Sequence, residues 1–83
     1  MEAHVRFIIY GAGAIGGAIG GRLHQSGHQV ILIARGAHLQ AIRDSGLLLR
    51  APDGDFRMPV PTAGHPREVD WQPGDVVILA MKT

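Results

Sequence analysis

Gly11-Ala12-Gly13-Ala14-Ile15-Gly16 has the spacing G-x-G-x-x-G. Glycines so spaced let a backbone come close to a pyrophosphate. Gly11 would permit a tight turn, Gly13 would leave the space a phosphate needs, and Gly16 would let a helix approach a sheet. The free N–H groups and dipole of a helix starting here would attract the phosphate charge. Close packing of a helix on a sheet accounts for Gly16 and Gly20, four apart on one face, but not for Gly11 and Gly13. Each interior glycine costs ~1 kcal/mol relative to alanine, so Gly17, Gly20 and Gly21 require some offsetting contact.

Arg35 stands 19 residues after Gly16, and no acid lies between Glu2 and Asp44. An acid at this distance would bond the free ribose 2′-OH of NAD, whereas an arginine accommodates the 2′-phosphate of NADP. A guanidinium forms charge-assisted hydrogen bonds with phosphate, and a carboxylate would repel it. The residues therefore favour NADP(H) over NAD(H). Lys82 follows an apolar run near the end of the sequence. Ligands of open α/β sheets sit beyond the carboxyl ends of strands, so a lysine there can meet a phosphate, a ribose or the nicotinamide side; a solvated terminal lysine is the plainer alternative. His24 and His28 are four apart, but Gly27 should end the helix between them and misdirect the pair. His4, His38 and His65 are scattered near expected turns. No metal site is expected, and no catalytic constellation stands out. Asp53 and Asp55 flank a turn glycine and read as turn formers.

The surrounding pattern supplies elements to position these groups. Val5–Tyr10 is an apolar, β-branched and aromatic run that reads as a strand buried on both faces. Ala14–Ser26 reads as a helix with Ile15, Ile19 and Leu23 on its inner face, closed by Gly27. Val30–Ala34 is a second buried strand. Ala37–Ser45 is a short helix with Leu39 and Ile42 inward, stopped by Gly46. Leu47–Leu49 and Phe56–Val60 flank a Pro-Asp-Gly turn and suggest a β-hairpin, with Pro59 and Pro61 placing its second run at an edge. Residues 62–75 read as loop with a short turn at Pro66–Val69, and Val76–Ala80 is a third apolar strand. The order strand, glycine turn, helix, strand, helix implies βαβ units and a parallel sheet with right-handed crossovers. The expected fold is an α/β, Rossmann-type parallel sheet with a hairpin excursion, truncated after Val76–Ala80. Residues 1–83 would be the N-terminal part of a dinucleotide-binding domain, with a sheet edge open to association.

Composition removes other classes. The 83 residues include no cysteine, which excludes a disulfide framework and a thiolate zinc site. A net charge of +1 gives no basic excess for nucleic acid or a membrane surface. Residues 1–43 hold one acid and four bases, and residues 44–83 hold six acids and four bases, so the first half suits an anionic ligand better. The apolar run at Phe7–Tyr10 is too short for a secretory signal, and no stretch approaches the roughly 20 apolar residues of a membrane span. A cytoplasmic location is the expectation.

The run FIIYGAGAIGGAIGGRLHQSGHQVILIARGAHLQAIRDSGLLL, followed by DVVILAMKT, resembles the N-terminal domain of the ketopantoate reductase (2-dehydropantoate 2-reductase) family. The shared features are GAGAIGG after the first strand, SGH-x-V into the second, an arginine at its end, a helix closing in SGL-x-L, and a last strand ending in MKT. The resemblance implies reduction of ketopantoate, a small 2-keto acid, by NADPH on the way to pantothenate and coenzyme A. By matching position it implies that Gly11, Ala12, Gly13, Ala14, Ile15 and Gly16 hold the pyrophosphate, that Arg35 meets the 2′-phosphate, and that Lys82 contacts the cofactor near the active site. Members of the family are longer, and a helical C-terminal domain supplies the catalytic lysine and the acid that holds substrate. Nothing here matches those groups, so no catalytic residue is assigned and this chain alone is expected to be inactive. Two alternatives share the fold: a regulatory NAD(P)-binding module, which would typically carry an acid at Arg35, and a dehydrogenase for another small acid.

Overall fold

The computed structural model describes residues 5–11 and 13–80. Its elements are β1 (Arg6–Tyr10), α1 (Ala14–Gln25), β2 (Gln29–Ile33), α2 (Gly36–Ser45), β3 (Leu47–Ala51), β4 (Gly54–Met58), β5 (Thr62–Ala63) and β6 (Val76–Leu79), with a 3-10 turn at Pro66–Glu68. The sheet has the order β5-β2-β1-β6 and is parallel throughout, while β3 and β4 form a separate antiparallel hairpin. The Rossmann-type parallel sheet and the hairpin excursion are thus both present, and β6 lies beside β1 as the pattern requires.

Alternation along the strands divides the core in two. Ile9, Val30, Leu32 and Ala34 join Ile42 of α2 and Leu47, Leu49 and Met58 of the hairpin in one cluster, against which Ile19 and Leu23 of α1 pack. Both helices therefore cover the same face. The opposite face is smaller, with Ile8, Ile33, Ala63 and Val69 at its centre.

Two expectations need correction. Ile15 is 69% exposed rather than inward. The buried stripe of α1 is made of glycine: Gly16, Gly17, Gly20 and Gly21 are all buried. A Cβ on Gly20 would lie 2.8 Å from Leu32 Cδ2, and one on Gly21 would lie 3.2 Å from Met58 Cε and 3.3 Å from Leu49. α1 is pressed between sheet and hairpin too closely for side chains at these glycines, while Ile19 and Leu23 pack against the core as expected and Ile15 alone of the three does not. Residues 62–63 are a strand rather than loop, bonded to β2 through Leu32 N–H to Pro61 O at 2.9 Å and Ala34 N–H to Ala63 O at 3.0 Å. A two-residue strand behind prolines has no periodicity to reveal it. β6 is apolar and mostly exposed, with Val76, Val77 and Leu79 at 40%, 47% and 70%.

Turn chemistry follows the residues. Gly27 takes φ 87° and ends α1 in a Schellman motif, with Gly27 N–H donating to His24 O and His28 N–H to Leu23 O. Gly46 takes φ 84° at the end of α2, where a Cβ would meet Met58 O at 2.9 Å.

Candidate functional site

The strand register brings the carboxyl ends of β1, β2 and β6 to one line: Tyr10 stands opposite Ile33 on one side and Leu79 on the other. Two hydrogen bonds lock this edge just beyond the strands. Gly11 N–H donates to Ile33 O at 3.0 Å, and Ala80 N–H donates to Tyr10 O at 2.9 Å. The glycine turn, the β2–α2 junction carrying Arg35 and the end of β6 therefore share one edge, the place where open α/β sheets bind ligands.

Gly11 and Gly16 take the tasks the spacing implies. Gly11 has φ 98°, a conformation that side-chain-bearing residues rarely adopt. A Cβ on Gly16 would overlap the Gly11 carbonyl oxygen and approach Ala80 Cβ at 3.2 Å, so this glycine admits the helix to the sheet. Gly13 is different. It is exposed, its backbone is extended (φ −69°, ψ −165°), and a Cβ on it would meet nothing within 4 Å. The protein itself gives no packing reason for glycine there, which is the state expected of a surface kept clear for a ligand.

Gly13 is also the N-cap of α1 and offers no side-chain cap, and the first turn has no acid. The first intrahelical bond is Gly17 N–H to Gly13 O at 2.7 Å, so the N–H groups of residues 14–16 have no helical partner. They point free donors and the positive end of a 12-residue helix toward the space beside Gly13. Glycine, clear space and free donors fit the pyrophosphate of a dinucleotide.

Arg35 is the N-cap of α2, with φ −137° and ψ 157°. It is exposed, and among the described residues its guanidinium has neither an ion-pair nor a hydrogen-bond partner. It is thus available to an anion at the sheet edge. Ala12 and Lys82 lie outside the described residues, and Ile15 is exposed one residue into the helix.

The sequence reading missed one feature of this region. A cavity of about 300 Å³ is lined by Gly13, Gly17 and Ala18 of α1, His38 of α2, and Leu48 and Arg50 of β3, among others. His38 is in the first turn of α2, within the helix expected over Ala37–Ser45. Its position three residues after Arg35 is the signal that could have selected it, because residues so spaced are neighbours on a helix. Of the remaining histidines, His4 lies outside the described residues, and His24 and His28 both line a cavity of about 370 Å³ with Arg6 at the opposite edge of the sheet. His28 also meets the Phe7 ring edge-on at 5.4 Å. His65 caps the 3-10 turn, its Nδ1 accepting from Arg67 N–H at 3.1 Å.

The strongest polar interaction lies outside the candidate site. Arg6 donates from Nε and Nη2 to Asp75 at 3.0 and 2.7 Å and from Nη2 to Asp70 O at 2.7 Å. These bonds hold the Asp75 carboxyl below its ordinary value, and Gln72 N–H adds to the effect. They also raise Arg6 above its own ordinary value. The pair ties the segment before β6 to the start of β1.

Comparison with known proteins gives a consistent set. The family model described as ketopantoate reductase PanE/ApbA matches residues 7–83. A 2-dehydropantoate 2-reductase of Mesorhizobium japonicum is 39% identical over 79 residues, covering 94% of this chain and 24% of that protein. The crystal structure of a PanE/ApbA family ketopantoate reductase from Ralstonia eutropha superposes with TM-score 0.78 at 42% identity, over 89% of this chain and 24% of that one. A D-mandelate dehydrogenase, solved with NADH and anilino(oxo)acetate, superposes with TM-score 0.80 at 37% identity, over 93% and 25%. The chain spans about a quarter of the length of these relatives.

Proposed function

The chain belongs to the ketopantoate reductase family, and on that premise we propose that it forms the cofactor-binding part of an NADPH-dependent 2-dehydropantoate 2-reductase. The observation that carries the cofactor choice is Arg35. Its guanidinium, without a partner among the described residues, stands at the β2–α2 junction, level with the glycine turn, on an edge where the sequence has no acid between Glu2 and Asp44. Gly11 makes the turn, Gly13 leaves the pyrophosphate its room, and the N–H groups of residues 14–16 hold its charge. Arg35 orients the adenosine end through the 2′-phosphate, and Lys82, just past β6, is assigned to the other end of the cofactor. NADPH bound in this way supplies the hydride for reduction of a keto acid. The proton donor and the group that holds the substrate carboxylate belong to the further domain that the family resemblance implies. The substrate is a small 2-keto acid of the ketopantoate kind, the product leads toward pantothenate, and the setting is cytoplasmic. Among the described residues no helix is long and apolar enough to cross a membrane.

The test is titration of the whole protein with NADPH and NADH. A charged hydrogen bond contributes about 1.5–3 kcal/mol, so NADPH should bind at least about tenfold more tightly. Arg35→Ala should remove most of that preference. Equal affinities, or an Arg35→Ala variant with unchanged preference, would exclude the assignment. A second reading is supported by the D-mandelate dehydrogenase likeness: the same cofactor unit serving reduction of another 2-oxo acid. Comparing ketopantoate with phenylglyoxylate as oxidant for NADPH separates the two.

A further inference from the structure

We infer that the cavity between α1, α2 and β3 receives the cofactor's 2′-phosphate, with His38 and Arg50 as specificity-determining residues beside Arg35. This rests on the NADPH reading and deepens it. The cavity has Gly13 in its wall, the position where a Cβ would meet open space. Its volume of about 300 Å³ depends on small residues in α1, because Gly17 and Ala18 form that wall where longer side chains would fill it. Its polar lining is His38 and Arg50, with no carboxylate. Asp55 stands opposite Arg50 in the hairpin, yet among the described residues the two form no ion pair. Apolar walls from Leu47, Leu48 and Leu49 displace water and strengthen the attraction between a phosphate and the two basic side chains. His38 follows Arg35 by three residues, so the two are neighbours along one side of the start of α2. The hairpin thereby acquires a function: it brings Arg50 to a pocket that the helices alone would leave open.

The test titrates the whole protein with NADPH, NADH and adenosine 2′-monophosphate, for the wild type, His38→Asn, Arg50→Gln and the double variant. Circular dichroism melts establish that each is folded. Each single change should weaken NADPH and the 2′-monophosphate about three- to tenfold and leave NADH within about twofold. Unchanged NADPH affinity in the folded double variant would overturn the inference. So would an equal loss for NADH, which would place both residues on the pyrophosphate. If wild-type NADPH and NADH bind equally, the NADPH reading itself fails. The 2′-monophosphate arm then reads the cavity directly, and its insensitivity to both changes would overturn the inference as well.

Discussion

At the scale of single residues, the second and third glycines of one motif should respond to substitution in opposite ways. A side chain on Gly13 has free space and an ordinary backbone conformation, so Gly13→Val should fold normally. It would occupy the room reserved for the pyrophosphate and abolish cofactor binding, which a cofactor titration beside a thermal melt would measure. Gly16→Ala gains ~1 kcal/mol in helix propensity. Its Cβ, however, would overlap the backbone of Gly11 and crowd Ala80. Forced overpacking costs ~1–3 kcal/mol, and backbone cannot rotate aside, so this variant should melt at a lower temperature. Normal NADPH binding by Gly13→Val would reduce the motif to a packing device. The turn at Gly11 and the close approach at Gly16 were legible in the sequence because the motif's spacing encodes backbone geometry. The inward face of α1 was legible only in part: Ile19 and Leu23 pack on the core and Ile15 does not, because close approach fills much of that face with glycine in place of apolar side chains.

At the scale of elements, the long apolar runs could be read to within a residue or two, and the hairpin followed from its Pro-Asp-Gly turn. β5 left no trace, since two residues cannot show a period. The packing of the hairpin on α1 was equally hidden, although Leu49 and Met58 are 4% and 8% exposed there. Leu49→Ala should destabilise the protein by ~2–5 kcal/mol, as for other buried leucines, with the midpoint of urea unfolding as the measure. The β1–β6 connection depends on a charge pair instead. Asp75 has its folded value lowered, so its contribution is complete above the ordinary carboxylate value of 3.8 and is lost as pH falls through the lower folded value. Asp75→Asn should therefore be less stable than the wild type at neutral pH, and the gap should narrow as the pH falls below 3.8. A gap that stays constant with pH would show that Arg6 and Asp75 pair without stabilising the fold.

At the scale of the whole molecule, the sheet is covered unequally. Both helices and the hairpin lie on the face of Ile9, Val30 and Leu32, whereas among the described residues the opposite face has only the segment around Ala63 and Val69. Among the described residues β6 pairs with β1 alone, which leaves the backbone groups on its outer side without a strand partner there. Val77 and Leu79, which share one side of that strand, are 47% and 70% exposed. An unpaired strand beside exposed apolar side chains is a template for pairing with another chain. Relatives about four times longer have ample chain to cover it; 83 residues expressed by themselves do not. That chain should therefore self-associate in a concentration-dependent way, and it should not oxidise NADPH with ketopantoate, because a keto acid also needs a positioned proton donor. Val77→Lys places a charge on the open face without touching the buried cluster. It should shift sedimentation toward the monomer while leaving the circular dichroism spectrum unchanged. A monomeric wild-type chain at high concentration, or association unaffected by the lysine, would show that the exposed strand is not what drives the contact.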